Sequence, residues 1–144
     1  MPGAIAPLAM APERGASDTR SMPASARLIA LLDDEEDFRK ALSRLLKAHG
    51  YQVASFATGE ELMAEVPTAA FGCVLLDLNM PGMSGFDVLA ELEAELQPPP
   101  VIVLSANDDP AMVRRAFALN AFEYQHKRVA APALLASIER ALHR

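Results

Sequence analysis

One cysteine, no tryptophan and no apolar run long enough to cross a bilayer: this 144-residue chain is marked first by what it is missing. A single cysteine, Cys73, cannot pair within the chain, which excludes an internal disulfide framework. Without about 18 consecutive apolar residues there is no membrane-spanning helix to expect. Positive charge is also scarce, with 13 Lys and Arg against 19 Asp and Glu for a net of −6. A protein that grips nucleic acid directly carries a basic patch or stripe, and that balance argues against one. The opening MPGAIAPLAMAPERG lacks a positive leading region and is interrupted by Pro2, Pro7 and Pro12, so it does not read as a secretory signal. What is present is 51% hydrophobic residues, enough to bury the core of one small cytoplasmic domain.

The charge divides the chain. Arg14 and Arg20 balance Glu13 and Asp18 within residues 1–26, so the whole of the −6 belongs to residues 27–144. The first 26 residues also hold four of the eleven prolines and show neither helical nor strand periodicity. Such a segment cannot bury enough surface to offset its ordering entropy, and residues 1–26 are expected to form a disordered leader.

From Arg27 onward, strand and helix signals alternate. Leu28-Ile29-Ala30-Leu31-Leu32 is a short continuous apolar run, as expected of a strand covered on both faces. After Asp33-Asp34-Glu35-Glu36-Asp37, the apolar residues Phe38, Leu42, Leu45 and Leu46 recur at helical spacing, and Gly50 closes that helix. Tyr51 to Phe56 reads as a second strand, and Thr58 caps a helix running to about Val66. Cys73 to Leu76 is a third strand ending at Asp77, followed by a helix from about Phe86 to Leu96 that Pro98-Pro99-Pro100 breaks. Val101 to Leu104 is a fourth strand ending at Ser105, and Asp109 with Pro110 starts a helix toward Leu119. A weak strand near Glu123–His126 and a helix from Pro132 complete the series. Five βα units in one domain predict an α/β fold, a right-handed, doubly wound parallel sheet.

In such a sheet, ligands bind beyond the carboxyl ends of the strands. Asp33 and Asp34 follow the first strand, Asp77 the third, Ser105 the fourth and Lys127 the fifth, so all are expected on one rim. Three clustered carboxylates repel one another and require a cation or a raised pKa. Oxygen-only ligands favour Mg²⁺. A lysine and a hydroxyl beside them supply the positive charge and the donor that a phosphoryl group would meet.

These residues, with the stretch Leu75-Leu76-Asp77-Leu78-Asn79-Met80-Pro81-Gly82-Met83-Ser84-Gly85, resemble the receiver domain of bacterial two-component response regulators. The segment from Ser105 to Phe117 is most similar to receivers of the FixJ type. The resemblance covers residues 27–144 and implies a flavodoxin-like sheet of order 2-1-3-4-5 with five helices and no output domain in this chain. It implies that Asp77 accepts a phosphoryl group from the phosphohistidine of a sensor histidine kinase or phosphotransfer protein. Asp33, Asp34, Asp77 and the Asn79 backbone carbonyl would hold Mg²⁺, and Lys127 would pair with the phosphoryl oxygens. Ser105 and Tyr124 would act as the switch, and Asn79 and Asn107 would tune dephosphorylation. The read-out would be contact with a downstream protein, or with a second copy of the chain, through helix 4, strand 5 and helix 5. No turnover of an external substrate is implied.

Four departures fall on that signalling face. Receivers usually follow the lysine with proline, whereas Lys127 is followed by Arg128, so the bond is trans or the loop is strained. Gln125 stands where strand five usually carries an apolar residue, and Asn120 replaces the glycine that ends helix four, a mild change because Asn tolerates the left-handed region. Val129-Ala130-Ala131 offers no cap before Pro132. The departures keep a second reading open, a receiver-like interaction module that acts independently of phosphorylation. A Mg²⁺-dependent phosphohydrolase is set aside because its Asp-x-Asp pattern after strand one is not met by the adjacent Asp33-Asp34. Cys73 is expected in the core, His49 at a helix end near the dipole, and Arg114 and Arg115 on a solvated face.

Overall fold

A computed structural model describes residues 27–80 and 82–144; the expected leader 1–26 and Pro81 in the loop after the third strand lie outside them. The element order is β1 (Leu28–Leu32), α1 (Glu36–Ala48), β2 (Gln52–Phe56), α2 (Gly59–Glu65), β3 (Cys73–Leu76), α3 (Gly85–Glu93), β4 (Val101–Ser105), α4 (Pro110–Ala118), β5 (Glu123–His126) and α5 (Ala131–Leu142). The strands form one parallel sheet in the order β2-β1-β3-β4-β5, as the flavodoxin-like reading requires.

Alternation along the strands builds two half-cores. Ile29, Leu31, Cys73, Leu75, Ile102 and Leu104 point to the side covered by α1 and α5, where Leu42, Leu46, Leu134 and Ile138 meet them. Ala30, Leu32, Val74, Leu76, Val101 and Val103 point the other way, onto Leu62 of α2, Val88, Leu89 and Leu92 of α3 and Ala116 of α4. Because both faces are covered, the central strands are apolar at every position except Ser105 at the end of β4, which is why they read as unbroken runs.

The local chemistry follows the sequence with small shifts. Thr58 caps α2 with a full capping box to Glu61, and Ser84 does the same for α3 with Asp87. Asn120 adopts φ +69°, and Gly50 closes α1 at φ +91°. There is no cis peptide bond among the described residues, so Lys127–Arg128 is trans. The predicted helix end at Leu96 is corrected: α3 stops at Glu93, and Leu96 is fully exposed. Leu92 is the last residue of α3 in the core, and the prolines from Pro98 disfavour helix in the residue ahead of each of them. Arg115 is not simply solvated, since its guanidinium lies 4.1 Å from the centre of the Phe86 ring, tying α4 to the start of α3.

The polar Gln125 is accommodated between β5 and α5. Its amide donates to Ser137 Oγ at 2.9 Å, Ser137 donates to Glu123 Oε1 at 2.8 Å, and Arg140 grips both Glu123 oxygens at 2.7 and 2.9 Å. Ser137 is wholly buried, so a satisfied polar network stands where apolar packing would otherwise join the edge strand to its helix. None of the helices among the described residues is long and apolar enough to cross a membrane.

Candidate functional site

The parallel sheet sends the carboxyl ends of its strands to one rim, and the predicted residues collect there. Asp33 leaves β1 with its N–H on the Phe56 carbonyl, and Asp77 leaves β3 with its N–H on the Leu32 carbonyl. The Lys127 N–H is held by the Ser105 carbonyl at 2.9 Å. Backbone ladder bonds therefore fix the origins of all these side chains. Asp33 and Asp77 are buried, Asp34 is exposed, and their carboxylates offer three oxygens within 4.8 Å of one another.

Counter-charge comes from the far end of the chain. Lys127 Nζ lies 2.8 Å from Asp33 Oδ2, 2.7 Å from Glu35 Oε1 and 3.5 Å from Asp77 Oδ2. It also sits 4.8 Å from the centre of the Phe38 ring. Burial alone would lower the lysine's pKa, but the bonds to Asp33 and Glu35 and the charge of Asp77 outweigh it and raise the pKa. Asp77 is pushed up to about 6, first by burial and then by Asp33 and Asp34, against the Asn79 N–H and Lys127, which lower it. Burial is thus the main reason that Asp77 resists ionisation, and the neighbouring carboxylates add to it.

Asp33, Glu35 and Asp77 face the Lys127 ammonium and Asp34 completes the acidic cluster, while the Arg39 guanidinium donates to the Asp33 carbonyl at 2.6 Å. Negative charge remains in excess. A hard divalent cation fits such a set, because all the donors are oxygens and they already converge. Asp77 Oδ1 accepts the Asn79 N–H at 3.2 Å, which seats Asn79 beside the acidic cluster.

Ser105, Asn107 and Tyr124 form a second group on the same rim. Ser105 is wholly buried, and its hydroxyl oxygen accepts the Asn107 N–H at 3.0 Å. Tyr124 packs against the α2–α3–α4 half-core and donates its hydroxyl to the Asn107 carbonyl. The β4–α4 loop is therefore held from both sides, by the end of β4 and by the edge strand β5. Glu35 and Arg39 are the rim residues that the sequence reading passed over. The signal for Glu35 was present in the acidic run after β1, but an exposed acid there is equally well a solvated loop residue.

The other candidates take structural places. Cys73 is fully buried, and burial pushes its thiol up to about 12. His49 is the C-cap of α1, with Nδ1 2.9 Å from the Leu45 carbonyl.

Comparison with known proteins agrees with this geometry. The family profile of the response regulator receiver domain matches residues 29–139. The transcriptional regulatory protein FixJ of Bradyrhizobium diazoefficiens is 30% identical over 114 residues, covering 79% of this chain and 56% of that protein. The C4-dicarboxylate transport transcriptional regulatory protein DctR of Rhodobacter capsulatus is 36% identical over 101 residues, covering 69% and 51%. The chain spans about half the length of these curated relatives. Among solved structures, the beryllofluoride-activated DrrB receiver domain superposes with a TM-score of 0.73 at 31% identity, over 81% of this chain and 97% of that one. Rim, sheet order and sequence thus agree: the chain belongs to the response regulator receiver family of two-component signalling.

Proposed function

We propose that this domain is a phosphoryl-accepting switch in the cytoplasm, with Asp77 as the acceptor. Receiver domains are signalling domains rather than enzymes that turn over a substrate, and the chemistry here is one transfer onto the protein. The observation that carries the reading is the buried Asp77 carboxylate, set among Asp33, Asp34 and Lys127 on the ligand-binding rim. One Asp77 oxygen attacks the phosphorus of a phosphohistidine on a sensor kinase or phosphotransfer protein. The P–N bond breaks, its electron pair stays with the imidazole, and that nitrogen takes a proton from solvent. Lys127 offsets the negative charge gathering on the phosphoryl oxygens. Asp33, Asp34, Asp77 and the Asn79 carbonyl would hold Mg²⁺, which when bound neutralises the excess rim charge and screens the dianionic donor.

Ser105 and Tyr124 carry the change outward. A new anion beside Asp77 attracts the Ser105 hydroxyl, which costs the Ser105–Asn107 bond and loosens the loop that Tyr124 also holds. Helix α4, β5 and α5 then present the altered face to a downstream protein or to a second copy of the domain. Asn79 and Asn107, flanking the acceptor and the switch, are positioned to influence how fast water removes the phosphoryl group.

The test is incubation with Mg²⁺ and acetyl phosphate, followed by intact-mass and phosphate-affinity gel analysis. Wild-type protein gains one phosphoryl group and Asp77→Asn gains none; a wild type that gains none overturns the reading. The β5–α5 polar network supports a second reading, an interaction module whose partner face does not respond. Phosphorylation that leaves the amide signals of Tyr124, α4 and α5 unchanged would favour it.

A further inference from the structure

Lys127 is the cation expected to meet the phosphoryl group, yet its shortest bonds go to Glu35 and Asp33 and not to the acceptor. An ammonium has three donors. Two are engaged at good hydrogen-bond distance, on Glu35 at 2.7 Å and Asp33 at 2.8 Å, while Asp77 stands at 3.5 Å, too far for a well-formed bond. The Phe38 ring beneath Nζ adds to the pull toward α1.

Glu35 occupies the N-cap position of α1, with φ −86° and ψ 109° and no side-chain capping bond. Residues at that position normally turn a short oxygen-bearing side chain back onto the helix, and its loss costs about 1 kcal/mol. Here the longer glutamate side chain forgoes the cap and reaches 92 positions along the chain to Lys127. Its own N–H donates to Asp33 Oδ1 at 2.8 Å, which locks the turn that aims it. Glu35 is 64% exposed at its side chain, against 2% for Asp33 and 4% for Asp77. Of the three partners of Lys127 it is therefore the one that solvent can take back.

We propose that Glu35 is a positioning residue that restrains Lys127 away from Asp77 in the resting domain and so slows phosphoryl acceptance. The inference rests on Asp77 being the acceptor. In the resting state Lys127 bridges α1 to the β5 exit. When a phosphoryl group arrives, a dianion on the buried side competes with a single exposed carboxylate, and the ammonium moves inward. Because the Glu35 bond is exposed it holds loosely, and salt weakens it further.

The experiment compares wild type, Glu35→Gln and Asp77→Asn, each with saturating Mg²⁺ and acetyl phosphate, and records the ¹⁵Nζ and ¹Hζ signals of Lys127 in the same proteins before phosphorylation. Glu35→Gln keeps the shape of the side chain and removes its charge. It is expected to move the Lys127 Nζ signals and to accelerate phosphoryl incorporation by about two- to fivefold, the range of an exposed ion pair. Raising the salt concentration should bring the wild-type rate toward that of the variant. Unmoved Lys127 signals overturn the proposal whether or not phosphorylation occurs, and so does an equal or slower rate in Glu35→Gln. No incorporation in either protein, with the Lys127 signals moved, instead removes Asp77 as the acceptor and the consequence for rate with it.

Discussion

Replacing Gly85 with alanine should damage the proposed acceptor, Asp77, through the backbone, without touching an acidic residue. Gly85 is the first residue of α3, and its N–H donates to the Leu78 carbonyl at 3.1 Å. A Cβ built there would lie 2.3 Å from the Asp77 carbonyl oxygen and 2.4 Å from Leu78 Cα. Van der Waals contact begins near 3.4 Å, so α3 and the end of β3 must separate by about 1 Å, in a core that is close-packed. Both obstacles are main chain, and no side-chain rotation relieves them. The separation stretches the Gly85–Leu78 hydrogen bond, worth about 1 kcal/mol, and disturbs the seating of Phe86, Val88 and Leu89, with an overpacking cost of about 1–3 kcal/mol. The expected loss is about 2–4 kcal/mol. Urea unfolding should show a lower midpoint at unchanged slope, and Tm should fall by about 4 °C for each kcal/mol. Phosphoryl incorporation by the folded fraction should also slow, because the displaced backbone is that of Asp77. Gly82→Ala is the internal comparison: Gly82 has φ +75° and nothing within 4 Å of the added atom, so it costs only the left-handed penalty of about 1 kcal/mol. A Gly85→Ala protein within about 0.5 kcal/mol of wild type would refute the reasoning.

Three other outcomes follow from the packing. Ser137→Ala removes the buried hydroxyl joining Gln125 to Glu123, and should cost about 1–2 kcal/mol in urea unfolding. The Cys73 thiol keeps its proton up to about 12 in the folded protein, against an ordinary value of 9.0. Above pH 9 the unfolded chain therefore loses a proton that the folded one retains, and stability falls as pH rises. Cys73→Ala should flatten that fall between pH 9 and about 10, measured by denaturant midpoint, and native Cys73 should resist thiol reagents at neutral pH. Asn120→Ala should cost about 1 kcal/mol, because φ is +69° and alanine has no ease there. Asn120→Gly should stay near wild type, as relief of that conformation offsets loss of the 2.6 Å bond to Glu93.

The sequence by itself determined the element order, the parallel sheet and the identity of the rim residues. That is because strands covered on both faces must be apolar throughout, and because βα units leave their polar residues at the carboxyl ends of the strands. Asp33, Asp34, Asp77 and Ser105 were legible for that reason, standing where apolar runs stop, and Lys127 was legible as the residue that follows the weaker fifth strand. Where α3 ends was not legible: Leu96 continues the helical spacing, but the helix has already ended at Glu93. Nor was the direction in which Lys127 points. It depends on a glutamate 92 positions earlier, and distance along the chain says nothing of distance across the rim. Gln125 read as a departure from strand chemistry, and only the packed structure supplied Ser137, Glu123 and Arg140 to satisfy it. Burial and partner choice at long range are properties of the assembled sheet, and through them the tertiary structure decided how Asp77 is charged, which acids hold Lys127 and how the edge strand is fastened to α5.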